Sequence, residues 1–223
     1  MSGAGSSWFD SASGPREAYN TAMLLAAVER LERRGIETTY TGHSDAIRGG
    51  LVSQLWTGDY FAERRGSPVL ACDANVVPLY FGLVDQERAD RIADSIQVLE
   101  TECGTRLRAK PFAPTAVRPV FLAHRDYHAC IWPWNSFAYA IGLAQYGYHD
   151  RAWREVNRIE RQLERYGTFL EVLTLEGEPY LKRGYASAEE FTAAAALWME
   201  FHRRSGTLTP TSSRESQRSG RRC

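Results

Sequence analysis

Residues 134–146, WNSFAYAIGLAQY, are apolar almost all round, while residues 150–166, DRAWREVNRIERQLERY, carry one apolar stripe among charges. A helix apolar on every face belongs inside a protein, and a helix with a single apolar stripe belongs on its outside. The first stretch therefore predicts a buried helix. The second predicts an outer helix that covers it through Trp153, Val156, Ile159 and Leu163. Pro133 fits the first position of the inner helix, where its missing N–H leaves no bond unmade.

Helical spacing recurs on both sides of this pair. Residues 17–34 put Met23, Leu24, Ala27, Val28 and Leu31 on one face ahead of Gly35. Ser44 is placed to cap a helix carrying Ile47, Leu51, Leu55 and Trp56. Residues 73–81 predict a short helix whose hydrogen bonding Pro78 should disturb. Residues 86–99 align Ala89, Ile92, Ala93, Ile96 and Leu99, and residues 188–202 close the folded part. Tyr60-Phe61 and Val69-Leu70 read as short strand segments. About seven helices with short connections, no sustained βαβ alternation and no GxGxxG predict an all-α fold with concentric inner and outer helices.

Length and composition set the frame. The 223 residues suit one domain, and 43% hydrophobic against 24% charged residues describes a globular chain. Lys110 and Lys182 are the only lysines, so 25 of the 27 basic residues are arginines, balanced by 27 acidic residues. That neutrality gives no overall pull toward nucleic acid or an anionic membrane; the arginine excess reads first as nucleotide-composition bias and second as ion pairing. No apolar run reaches the ~18 residues that a spanning helix needs. Cys72, Cys103, Cys130 and Cys223 form no CxxC, and residues 1–7 lack the charged and apolar regions of a signal peptide. Both observations predict a cytoplasmic protein. Residues 1–16 read as a flexible N-terminus and residues 205–223, rich in Ser, Thr and Arg, as a disordered tail, leaving a helical domain over 17–204.

Three segments carry more polar and aromatic detail than packing asks for. Asp73-Ala74-Asn75 places a carboxylate and an amide at the start of an apolar helix; Asp73 as a helix cap is the plainer reading. Tyr127-His128-Ala129-Cys130-Ile131-Trp132-Pro133-Trp134 gathers flat aromatic faces and polar ring edges before the buried helix. Such surfaces suit the C–H faces and hydroxyl rims of sugars, and core aromatics are the competing reading. Glu171 sits among Phe169, Leu170 and Val172 after Gly167, a setting for general acid/base work or for a structural ion pair with an arginine. His128 and Cys130 with Cys72 or Cys103 match no common zinc spacing, and no GxSxG or Walker motif is present. His43, His124, His149 and His202 are isolated. No metal and no cofactor are expected.

Taken in order, these segments resemble the C-terminal half of (α/α)6-toroid glycosidases. The likeness is greatest to the amylo-1,6-glucosidase domain of glycogen debranching enzymes, with related patterns in trehalase-like and mannosylglycerate hydrolase-like enzymes. Asp73-Ala74-Asn75-Val76 matches an acidic-x-Asn start of an inner helix. The segment 127–134 keeps Tyr, His and Trp-Pro-Trp of a Tyr-His-x-Gly-x-x-Trp-Pro-Trp pattern but loses the glycine and one residue. Gly167 to Glu171 with Gly177-Glu178-Pro179 matches a Gly-x-x-x-Glu loop and its echo, and Ser187-Ala188-Glu189-Glu190-Phe191 the approach to the last inner helix.

The resemblance implies an incomplete toroid of about half the usual size. It makes Glu171 the general base of an inverting hydrolysis, with Asp73, Asn75, Tyr127, His128, Trp132 and Trp134 lining the sugar subsite. The proton donor of those families lies upstream, in the half of the toroid that this chain is expected to lack, and Asp73 and Asp45 are its nearest substitutes. The expected function is hydrolysis of an α-glucoside or a similar O-glycosidic bond, with carbohydrate as partner. The alternative is a truncated, non-catalytic helical protein that binds carbohydrate or oligomerises through an open face, as a homo-oligomer or with a missing N-terminal half. The enzyme reading expects Glu171, Asp73, His128 and Trp132 to converge on one concave pocket.

Overall fold

The computed structural model describes residues 17–67 and 69–206. Seven α-helices are present among them: α1 Glu17–Glu32, α2 Ser44–Leu55, α3 Cys72–Phe81, α4 Gln86–Ile96, α5 Pro133–Gln145, α6 His149–Tyr166 and α7 Thr192–Gly206. The helices α1, α3, α5 and α7 touch one after the next, while α2, α4 and α6 pack on α1, α3 and α5 respectively. This makes an inner row of four helices backed by an outer row of three. The burial follows the sequence. Every residue of α5 from Pro133 to Leu143 is buried, whereas α4 buries only Ala89, Ile92, Ala93 and Ile96.

The elements differ from expectation in instructive ways. The inward side of α1 holds Ala18, Ala22, Leu25, Ala26 and, as expected, Val28, but Met23 is 39% exposed, because α1 contacts both α2 and α3 and its alanines permit close approach. Ser44 is the first helical residue and not a cap, whereas Asp85 caps α4 by accepting from the Arg88 N–H. Asp73 likewise lies inside the first turn of α3, with Ala71 preceding the helix. The helix runs through Pro78 and stops at Gly82. In α6, Val156 and Ile159 point inward as the stripe requires, but Trp153 is 40% exposed and packs edge-on against Phe201 and His202 of α7. The last helix starts at Thr192, after residues 188–191 have passed as a loop. The expected flexible end over 1–16 and the tail from 207 onward lie outside the described residues; Ser205 and Gly206 complete α7.

Two small hairpins, β1 Glu100–Thr101 with β2 Gly104–Thr105 and β3 Leu181–Lys182 with β4 Tyr185–Ala186, accompany four short 3-10 helices among the described residues, the last of them Tyr127–Ala129. More consequential is a set of single bridges. Ala71 pairs with Arg108, Arg106 with Ile131, Ile131 with Leu173, and Leu173 with Pro179. The Cys72 N–H donates to the Leu107 carbonyl and the Leu107 N–H to the Cys130 carbonyl. These bonds stitch the segments leading into α3 and α5 to the 170s loop, building a platform at the N-terminal end of the inner helices. Beneath it Arg108 grips Glu63 through Nε and Nη2, at 2.9 and 2.8 Å, with both side chains nearly solvent-free. Arg151 and Arg158 likewise share Glu100. Part of the arginine excess therefore does serve ion pairing.

Inner helices α3 and α5 approach closely at Gly142, where an added Cβ would lie 2.8 Å from Leu79 Cβ and 3.3 Å from the Leu79 backbone carbon. Gly142→Ala gains about 1 kcal/mol of helix propensity but overpacks the α3–α5 contact by more, since insertions of this kind cost roughly 1–3 kcal/mol. A lower urea midpoint with an unchanged slope is the expected result.

Candidate active site

Glu171 lies on the platform. Its N–H donates to the Ala188 carbonyl, and its neighbours Val172 and Leu173 bond Ser187 Oγ and the Ile131 carbonyl, which fixes the loop on both sides. The carboxylate is half-buried and meets two phenols. Tyr185 Oη is 2.7 Å from Oε2 and Tyr127 Oη is 3.3 Å from Oε1, while the two hydroxyls are 2.9 Å apart. Behind Tyr127 stand Trp132, with ring centroids 4.7 Å away, and His128, whose ring is parallel to that of Trp132 within 4°. The Trp132 indole N–H donates to the Tyr127 carbonyl, so it braces the tyrosine.

Four of the residues singled out in the sequence are thus brought together: Glu171, Tyr127, His128 and Trp132. Asp73 enters at the same end of the inner row, in the first turn of α3, where the helix dipole favours a carboxylate. Asn75 does not join them. Its amide donates to the Phe61 and Ala71 carbonyls and accepts from the Phe61 N–H, tying the turn after α2 to α3, so its role is structural. Trp134 lies in the core at 5% exposure. Tyr127, His128 and Trp132 are also 7% exposed or less, so these rings form a wall behind Glu171 and not an open sugar platform. Asp45 sits exposed in the first turn of outer helix α2.

Sequence reasoning missed the other half of this cluster. The rings of Tyr180 and His124 flank Tyr185 at 5.7 and 5.9 Å, and Tyr180 Oη donates to Asp126, which also holds Lys182 Nζ at 2.6 Å. The signal in the sequence was the pattern YLKRGY at 180–185, in which two tyrosines flank a Lys-Arg-Gly turn. Burial pushes the Asp126 carboxyl upward, but the Lys182 ammonium and the Tyr180 hydroxyl outweigh it and hold its pKa below the ordinary value. Burial and the Asp126 carboxylate together push the Tyr180 phenol up. Because Asp126 has the lower pKa when folded, its contribution to stability is present above the ordinary carboxylate pKa and fades as pH falls through its own. The urea midpoints of wild type and Lys182→Met should therefore differ near neutrality and converge in acid.

A cleft of about 390 Å³ opens beside the cluster, lined by Asp126, Tyr180 and Lys182 together with Arg106, Cys130 and Glu176, but not by Glu171, His128 or Trp132. Among the described residues no three His, Cys, Asp or Glu side chains are gathered as a metal site requires, and Cys72, Cys103 and Cys130 are free thiols. Burial raises the Cys130 pKa to about 12 and holds Cys72 well above the ordinary thiol value, so neither is poised as a nucleophile. No described helix is long and apolar enough to cross a membrane.

Solved structures place this architecture. A GH63 mannosylglycerate hydrolase from Thermus thermophilus, in complex with Tris and D-glycerate, superposes with a TM-score of 0.60 at 18% identity, over 82% of this chain and 46% of its own. A neutral trehalase from Saccharomyces cerevisiae gives 0.55 at 13% identity, over 87% and 39%. A structure described as a wild-type glycosidase gives 0.65 at 15% identity, over 91% and 55%. The fold is that of about half an (α/α)6 toroid. No protein-family profile and no curated protein sequence matches the chain. The half-toroid spans about half the length of the solved chains it matches.

Proposed function

We propose that the half-toroid carries the water-activating side of a glycoside hydrolase site, with Glu171 as general base acting on an α-glucoside or a similar O-glycosidic bond. The observation that carries this reading is a half-buried carboxylate, held by two tyrosine hydroxyls, at the N-terminal end of the inner helices of a fold shared with glycosidases. In an inverting hydrolysis one carboxylate takes a proton from the attacking water while a second carboxyl group protonates the leaving oxygen, the two standing ~6.5–9.5 Å apart to admit the water. Glu171 supplies the first. Tyr127 and Tyr185 orient its oxygens, and His128 and Trp132 keep Tyr127 in place behind it.

The second group needs a raised pKa so that it still holds its proton near neutrality. Asp126, the carboxylate joined to the cluster through Tyr180, is shifted the other way and does not qualify. Asp73, at the same end of the inner row, is the chain's own candidate for the acid, and a segment or partner chain beyond the described residues is the other source. The test is hydrolysis by the wild-type chain of α-glucosyl fluoride and of aryl α-glucosides with strongly acidic phenols, whose leaving groups depart without a proton, with sugar binding measured alongside. Turnover that disappears in Glu171→Gln supports the enzyme. No turnover on any glycoside while sugar still binds overturns it in favour of a binding module.

A further inference from the structure

The contact that holds Glu171 most closely comes from a hairpin. The chain reverses at Arg183-Gly184, where Gly184 has φ +83°, and Leu181 to Gly184 are exposed. Two moorings fix this projecting loop. On its first strand Lys182 Nζ donates to both carboxylate oxygens of Asp126, at 2.7 and 2.6 Å, and the preceding Tyr180 donates to the same group. On its second strand Tyr185 reaches Glu171. A phenol has one hydrogen, and the 2.7 Å contact to a carboxylate takes it in preference to the 2.9 Å contact to another hydroxyl. Tyr127 is then left to donate to the Tyr185 oxygen or to Glu171 Oε1. The rings of Tyr127, Tyr180 and His124 confine Tyr185 on three sides.

We propose that Tyr185 is the positioning residue for the Glu171 carboxylate, and that the Lys182–Asp126 pair, through the hairpin they share, sets how firmly Tyr185 holds it. Its bearing on catalysis rests on Glu171 being the reacting carboxylate; the mechanical link does not. Lys182 makes no hydrogen bond to Glu171 among the described contacts and is joined to Tyr185 through the hairpin, whereas Asp126 also adjoins Tyr127 in the chain.

The experiment follows coupling of a small amine to Glu171 by a water-soluble carbodiimide on the full chain, with rates read by mass spectrometry. Tyr185→Phe removes a hydrogen bond to a charged group and should raise the rate about tenfold. Lys182→Met should move it the same way by a smaller factor, and Lys182→Arg, which keeps the charge, should restore the wild-type rate. Glu63, buried and paired with Arg108, serves as the internal standard and should stay uncoupled in every variant. A wild-type rate in Lys182→Met, or a rate in Lys182→Arg as high as in Lys182→Met, overturns the proposal. Because coupling needs no turnover, a chain that hydrolyses nothing would defeat the reading of Glu171 as base while leaving this result standing.

Discussion

Arg108→Ala should lower stability by about 3–5 kcal/mol, the range found when one member of a buried ion pair is removed. Two parallel bonds join the guanidinium to Glu63, and the guanidinium also lies over the Phe112 ring at 4.1 Å. After truncation the Glu63 carboxylate stays in a solvent-free position, with a bond from Ser67 Oγ but without its counter-charge. For a domain whose whole stability is ~5–15 kcal/mol, that loss is a large fraction. Urea unfolding measures it as a fall in midpoint. The joint replacement Glu63→Leu with Arg108→Met should recover most of the loss, because it removes the uncompensated charge together with the pair. A loss below about 1 kcal/mol in Arg108→Ala would mean that the pair is solvated and that the platform does not depend on it.

Glu171→Gln should abolish turnover while leaving the fold intact. A positioned general base is worth about 10²–10⁴ in rate, and glutamine keeps the shape of the side chain without the proton-accepting charge. One of the two tyrosine hydroxyls can still donate to the amide oxygen while the other accepts from the amide N–H, so the cluster survives. The expected pattern is a fall of that size in kcat, measured on any substrate the wild-type chain turns over, with the urea midpoint unchanged. A variant as active as the wild type would remove Glu171 from the reaction.

The large features of this molecule were legible in its sequence because they follow from periodicity. The all-round apolar stretch 134–146 became the buried α5, and the striped stretches became α4 and α6. Orientation within a helix was harder to read where two neighbours compete for it. The face of α1 turned away from Met23 and Leu24 because alanines seat more closely than those larger side chains. In the site, Tyr127, His128, Trp132 and Glu171 were legible as a motif, and the structure brings them together. The aromatic segment left a sugar face and a set of core rings equally open, since a motif names residues without saying which way they face, and the burial of Tyr127, His128 and Trp132 favours the second. Not legible were the contacts of Asp126 with Tyr180 and Lys182 and of Tyr185 with Glu171, which span 14 to 56 residues of chain, separations that no local pattern records.

The central claim is that this half-toroid holds the base of a glycosidase site. The most direct measurement uses a substrate that needs no acid. In α-glucosyl fluoride the leaving group departs as fluoride without being protonated, so the reaction asks only for a base to activate water. The account predicts that the wild-type chain hydrolyses α-glucosyl fluoride, releasing glucose of inverted anomeric configuration, and that Glu171→Gln does not. Release at the same rate by both proteins, or no release by either while glucose binds to both, would contradict it.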